Sequence, residues 1–162
     1  MLFRSYNKKV NVKSDIAMRQ FGELIGRLVA GGEVLELIGD VGAGKTTLTK
    51  GIGLGMEINE PIQSPTFTIS RTYESPRGLT LMHYDFYRLQ EAGIMGDEIR
   101  EVAADPASVV VVEWAGAVDD DLPEDRLRIF INATAENERV VELVAGGDRS
   151  AVLAAKLEES LK

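Results

Sequence analysis

Val34-Leu35-Glu36-Leu37-Ile38-Gly39-Asp40-Val41-Gly42-Ala43-Gly44-Lys45-Thr46-Thr47-Leu48 is the stretch that decides the fold of this chain. Val34 to Ile38 reads as a short buried strand, and Lys45 to about Leu54 reads as a helix. Gly51 and Gly53 each cost that helix roughly 1 kcal/mol relative to alanine, so it must lean on tertiary packing. Between strand and helix, Gly39 to Thr46 fits G-x-x-x-x-G-K-[ST] at every fixed position. A random chain of this length would contain that pattern with a chance of only about half a percent.

The chemistry of such a loop is that of a phosphate cradle. Glycines let backbone N–H groups turn inward and approach phosphate oxygens closely. The helix that starts near Lys45 points its positive dipole end at the same anion. Lys45 adds a mobile positive charge for the β and γ phosphates, and Thr46 offers a hydroxyl to magnesium. Asp40, Gly42, Ala43, Gly44, Lys45, Thr46 and Thr47 are therefore the candidate nucleotide contacts, with ATP and Mg2+ as the expected ligands.

Working outward, Ser14 and Asp15 open a helix whose apolar positions are Ala17, Phe21, Leu24, Ile25 and Leu28. Gly31-Gly32 is the expected stop. Thr66 to Tyr73 and Leu79 to Tyr84 read as strands around the turn Ser75-Pro76-Arg77-Gly78. Glu91 to Ala104 reads as a helix. Val109 to Val112 is a continuous apolar run, the mark of a strand covered on both faces. Asp119-Asp120-Asp121 reads as a solvated loop. Leu127 to Asn132 and Val140 to Val144 are two later strands, and Ser150 to Leu161 is a closing helix. Helices alternating with strands predict an α/β class with a largely parallel sheet, plus some antiparallel pairing at the hairpin and late strands. The expected organisation is a single domain over residues 1–162. Residues 1–11 would be a flexible N-terminus or edge strand, and residues 146–162 would hold the C-terminal helix.

Composition narrows the function. The chain has 162 residues, enough to bury a core without covalent staples. It has no cysteine, which excludes disulfides and thiolate chemistry, and its single histidine, His83, excludes a multi-histidine metal cluster. A net charge of −8 is the wrong balance for a stand-alone nucleic-acid binder, although an acidic body can dock on a basic protein. No apolar run approaches the roughly 18 residues of a membrane span. The first residues lack an apolar secretion core. The expected location is cytoplasmic, with no membrane partner.

A nucleotide site of this kind needs an acidic group near the magnesium, commonly at the end of a neighbouring buried strand. Glu113 ends the Val109–Val112 run and is assigned to the metal. Asp85, in His83-Tyr84-Asp85-Phe86-Tyr87-Arg88, is assigned to the attacking water or the metal's outer shell. Composition and spacing leave the exchange of those two roles open. His83 by itself reads as a structural histidine. Thr66, in Ser64-Pro65-Thr66-Phe67, is placed to sense a γ-phosphate as switch loops do. Glu113-Trp114-Ala115-Gly116 has the acid-and-glycine spacing of a second switch segment.

The loop from Gly39, Ser64-Pro65-Thr66-Phe67, His83-Tyr84-Asp85-Phe86-Tyr87-Arg88-Leu89 and Glu113-Trp114 occur in that order. Together they resemble the bacterial TsaE (YjeE) family over roughly residues 12 to 145. The His-x-Asp-x-Tyr-Arg-Leu block is the most discriminating part. The resemblance implies a P-loop NTPase domain with a central mixed sheet of about seven strands flanked by helices. It implies an ATPase required for threonylcarbamoyladenosine modification of tRNA, acting with TsaD and TsaB and reaching tRNA indirectly through that complex. It further implies that Thr46 and Glu113 hold magnesium, that Asp85 supports hydrolysis, that Trp114 lies by the nucleotide, and that Asp15 or Ser14 lies near the base.

Three other readings share the loop. A small-molecule kinase would need an acceptor pocket and an arginine-bearing lid, and no lid segment stands out. A GTPase would carry an Asn-Lys-x-Asp segment, which the sequence lacks. A nucleotide-dependent binding module with negligible turnover is consistent with the acidic surface and with Trp114, rather than a second acid, after Glu113.

Overall fold

The computed structural model describes residues 6–162. The order of elements is β1 (Tyr6–Val12), α1 (Asp15–Leu28), β2 (Val34–Ile38), α2 (Lys45–Gly55), β3 (Ser70–Glu74), β4 (Thr80–Asp85), α3 (Ile94–Ala103), β5 (Ser108–Glu113), a 3-10 helix (Ala115–Asp121), β6 (Leu127–Ala133), β7 (Arg139–Ala145) and α4 (Asp148–Ser160). All seven strands join one sheet in the order β1-β7-β6-β2-β5-β4-β3. Parallel pairing is confined to the centre, where β2 joins β5 and β6, and β4 joins β5. The three outer pairings, β1 with β7, β6 with β7 and β3 with β4, are antiparallel.

Period-two alternation divides the core between the two sheet faces. On one face Leu35, Leu37, Val109, Val111, Ile129 and Leu143 pack under α1, α2 and α4. On the other, Val34, Val110, Val112 and Tyr84 pack under α3 and the 3-10 helix. β5 is buried along its whole length, as its valine run predicts. Glu36 is a buried acid on β2, and its charge is met by Arg126 Nε at 2.8 Å and Arg128 Nε at 3.3 Å.

α1 and α2 run side by side and parallel. Gly22 and Gly26 of α1 face Gly51 and Gly55 of α2 so closely that a methyl group on any of the four would overlap backbone atoms of the partner helix. The glycines that weaken α2 as an isolated helix are therefore what allows this contact. At the far end, Arg77 from the β3–β4 turn gathers carbonyls from both helices: Nη1 donates to Gly26 O at 2.7 Å and Nη2 to Val29 O at 2.7 Å, with Gly55 O at 3.4 Å from Nη1.

Four boundaries depart from expectation. α1 stops at Leu28, and Gly31-Gly32 is a separate turn with φ of 112° and 89°, two residues past the cap. Strand β3 starts only at Ser70, because Pro65 to Ile69 folds into a turn closed by Ile69 N to Pro65 O at 2.7 Å. β-propensity at Thr66–Ile69 is overridden by that tertiary arrangement. Residues 91–93 precede α3 instead of belonging to it. Asp119 to Asp121 ends the 3-10 helix instead of forming a loop, although Asp119 and Asp120 are solvent-exposed as expected: Asp119 accepts from Arg126 at 2.6 Å, and Asp121 pairs with Arg100.

Candidate functional site

The glycine loop leaves the end of β2 at the centre of the sheet. Gly42 and Gly44 have φ of 81° and 115°, conformations that a side chain would strain. Gly44 is the N-cap of α2, and no acidic residue lies in that helix's first turn, so its positive end is open to an anion.

The flanking strands carry the acids. His83 and Asp85 alternate onto the same face of β4, and Asp85 is in register with Glu113 of β5, which in turn is in register with Leu37 of β2. The strand order β2-β5-β4 therefore places Glu113 beside the loop strand and Asp85 one strand further out. A cleft of about 330 Å³ gathers Lys45, Thr46, Thr66, Asp85, Glu113 and Trp114. Two more clefts adjoin the loop. One of about 420 Å³ is lined by Gly39, Asp40, Lys45, Trp114 and Asn132, and one of about 320 Å³ by Asp40 to Ala43 and Asn132.

Each acid is held by named donors. Glu113 Oε2 lies 2.7 Å from His83 Nε2, with both groups buried. Asp85 Oδ1 accepts from the Tyr87 N–H at 2.9 Å, and Oδ2 accepts from Thr66 Oγ1 at 3.2 Å. Thr66 also exchanges a hydrogen bond with Ser64 Oγ at 2.7 Å, so the turn that replaces the expected strand start delivers a hydroxyl to Asp85.

Lys45 is buried among these groups. Its Nζ donates to Gly39 O at 2.7 Å and stands 3.9 Å from the centroid of the Trp114 ring. Burial lowers its pKa from the ordinary 10.5, against the opposing pull of Glu113 and then of Asp85 and Asp40. Trp114 adopts left-handed backbone (φ 54°), as does Ile69 (φ 68°). Such conformations cost bulky residues on the order of 1–3 kcal/mol and cluster at functional sites. Ile69 O accepts from the Asp85 N–H at 2.8 Å, and Trp114 directly follows Glu113, so two of the three left-handed non-glycine residues among those described border the acids, the third being Glu57 after α2.

Not every candidate joins the cleft. Asp15 is exposed in the first turn of α1, one turn before Met18, whose side chain lies against Gly44. Thr47 is half-buried on α2 and lines none of the three clefts. Three contributors go beyond the candidate site residues of the sequence, in which His83 reads as a structural histidine. His83 was readable from its same-face alternation with Asp85. Tyr87, edge-on to Trp114 at 5.1 Å, lies inside the block already singled out. Arg139 donates from Nε to Ala43 O at 3.0 Å, and no spacing rule could have tied it to a loop 96 positions earlier.

Comparison with known proteins settles the family. Residues 12–141 match the family model described as threonylcarbamoyl adenosine biosynthesis protein TsaE. This chain belongs to the TsaE family. A Streptomyces coelicolor protein named tRNA threonylcarbamoyladenosine biosynthesis protein TsaE is 39% identical over 140 residues, covering 82% of this chain and 93% of that protein. The Bacillus subtilis TsaE is 39% identical over 130 residues, covering 78% of each chain. The crystal structure of Bacillus subtilis YdiB superposes with a TM-score of 0.81 at 30% identity, covering 99% of this chain and all of that one. The α/β fold with a mixed seven-stranded sheet is thus shared with a solved structure. No helix among the described residues is long and apolar enough to cross a membrane.

Proposed function

We propose that this TsaE-family chain is a cytoplasmic ATPase. It hydrolyses ATP in support of threonylcarbamoyl transfer to the adenosine beside the anticodon of tRNA. It acts with homologues of TsaD and TsaB, and meets tRNA through that complex. The observation that carries the reading is the cleft in which Lys45, Thr46, Thr66, Asp85 and Glu113 converge at the open end of α2.

The donor set fits magnesium brought in with a nucleotide. Mg2+ is typically held by one or two carboxylates together with phosphate oxygens and waters, rather than by an all-protein cage. Thr46 and Glu113 are the residues that would hold it, because Glu113 is on the strand next to the loop strand. Bound magnesium supplies neutralisation of charge on the phosphate oxygens.

The remaining roles follow from position. Lys45 exchanges Gly39 O for phosphate oxygens. Asp85, one strand further out and fixed by Tyr87 N–H and Thr66, orients the attacking water. Thr66 reports the γ-phosphate to the 65–69 turn. Asp40, Gly42, Ala43 and Gly44 line the phosphates. Trp114 lies beside them, Thr47 supports the helix start, and Asp15 lies toward the base.

The experiment is ATP hydrolysis by the protein alone, with TsaD and TsaB, and with small-molecule acceptors. Lys45→Ala should abolish tight nucleotide binding, whereas Asp85→Ala should retain binding and lose turnover. Hydrolysis unmoved by the partners, together with phosphate on an acceptor, would replace this reading with a kinase.

A further inference from the structure

Arg139 opens β7 on the antiparallel side of the sheet, opposite the strands that carry Asp85 and Glu113. Its half-buried guanidinium spends all three nitrogens on backbone oxygens. Nε donates to Ala43 O at 3.0 Å, and Nη2 lies 3.5 Å from Gly42 O. Nη1 lies 3.0 Å from Ala135 O and Glu138 O and 3.2 Å from Glu136 O. One planar cation thus joins two segments: the glycine loop and the turn between β6 and β7.

The loop atoms that it takes are the ones that matter for an anion. A peptide unit has its C=O and N–H on opposite sides. Holding Ala43 O outward turns the Gly44 N–H to the loop interior, at the start of α2. A cation on the oxygen also polarises that peptide and strengthens the N–H as a donor. Ala43 N–H, by contrast, is committed to Asp40 O at 3.0 Å, so of these two neighbouring donors it is the Gly44 N–H that is left to a ligand. Gly42 and Gly44 hold left-handed backbone and are conformationally permissive, so the loop needs an outside restraint to keep one shape.

We infer that Arg139 is a positioning residue for nucleotide phosphate, bracing the glycine loop against the β6–β7 turn so that its donors face the ligand before the ligand arrives. The inference rests on the reading of Gly39–Thr46 as a phosphate site. Lysine cannot replace arginine here, because a single ammonium cannot span both segments.

The test uses the full-length protein, with calorimetric titration of ADP and of inorganic triphosphate, which has neither ribose nor base. Arg139→Ala should weaken both probes by the same factor, about tenfold, and Arg139→Lys should fail to restore them. In hydrolysis, KM for ATP should rise while kcat is retained, a split that general loss of structure would not produce. Affinities within twofold of the parent in Arg139→Ala would overturn the inference. So would a loss for ADP without a loss for triphosphate, which would mean contact with the base or ribose. Should Arg139→Ala not fold, Arg139→Lys decides: parental affinity in that variant overturns the two-segment brace, and a tenfold loss supports it. Lys45→Ala separates the two levels. If that variant still binds ADP, the phosphate-site reading falls. If it loses ADP while Arg139→Ala does not, only the brace falls.

Discussion

His83 Nε2 stands 2.7 Å from Glu113 Oε2 across two neighbouring parallel strands, with the ring fully buried and the acid buried at the wall of the cleft. A carboxylate only accepts, so Nε2 carries the hydrogen and the ring orientation is set by the acid. Replacing His83 by alanine leaves a buried carboxylate without its donor. The expected loss of stability is about 3 kcal/mol, read by denaturant unfolding. Glu113 would also lose its fixed direction, so the gain in ADP affinity on adding magnesium should shrink while magnesium-free affinity is kept. An unchanged magnesium effect would show that His83 does not orient Glu113.

Lys45 gives a pH dependence with a definite sign. Burial holds its pKa below 10.5. Between that lowered value and 10.5 the unfolded chain carries a proton that the folded one lacks, so the stability of the ligand-free protein rises with pH across that window. Bound phosphate favours the charged amine, so binding takes up a proton there. ADP affinity should therefore fall as pH climbs toward 10.5, beginning earlier than an ordinary lysine would allow. Titrations in buffers of different ionisation heat would report the proton uptake, and a flat affinity across the window would contradict it.

The helix contact at Gly51 makes a sharp stability prediction. A methyl group there would overlap the Arg19 carbonyl oxygen and push α1 off α2. Gly51→Ala should cost about 3 kcal/mol or more, despite the better helix propensity of alanine. Gly116→Ala is the matched control. Nothing lies within 4 Å of its added methyl group, and its backbone is not left-handed, so stability should stay within about 0.5 kcal/mol. A mild effect at Gly51 would mean that the two helices can part freely.

Asp125 caps α4 from outside the helix, since Gly147 at the N-cap has no side chain. Its carboxylate accepts from Ser150 N at 2.9 Å, Ser150 Oγ at 2.7 Å and Arg149 N at 3.0 Å. Burial pushes its pKa up, but the Ser150 and Arg149 interactions outweigh that and leave it below 3.8. Asp125→Ala should lose about 1–2 kcal/mol near neutral pH. Because the folded pKa is depressed, that contribution is in place above 3.8 and fades as pH falls through the lowered value. Parent and variant should converge in acid, and a constant gap would disprove the charge-assisted cap.

The parts of the molecule with a local signature were legible in the sequence. The loop, the helix after it, the valine run of β5 and the acid at its end all follow from spacing and period. Departures came where side chains act on distant backbone. Thr66 to Ile69 has strand-like residues, yet it turns because Thr66 reaches Asp85 and Ile69 closes onto Pro65. Asp119 is exposed, as the acidic run suggests, but its pairing with Arg126 has no local signature. Arg77, Asp125 and Arg139 each work by binding carbonyl or amide groups far along the chain, and backbone atoms carry no sequence label.

The parallel arrangement of α1 and α2 has an electrostatic consequence. Two macrodipoles lying side by side in the same direction repel. Arg77 places one cation against the negative ends of both helices. At the opposite end α1 has Asp15 in its first turn, but α2 has no acid there. The pole of α2 at the glycine loop therefore has no acid in its own first turn, and on the proposed nucleotide reading a bound anion adds that charge. Occupancy of the loop and resistance to unfolding are then two measures of the same charge balance.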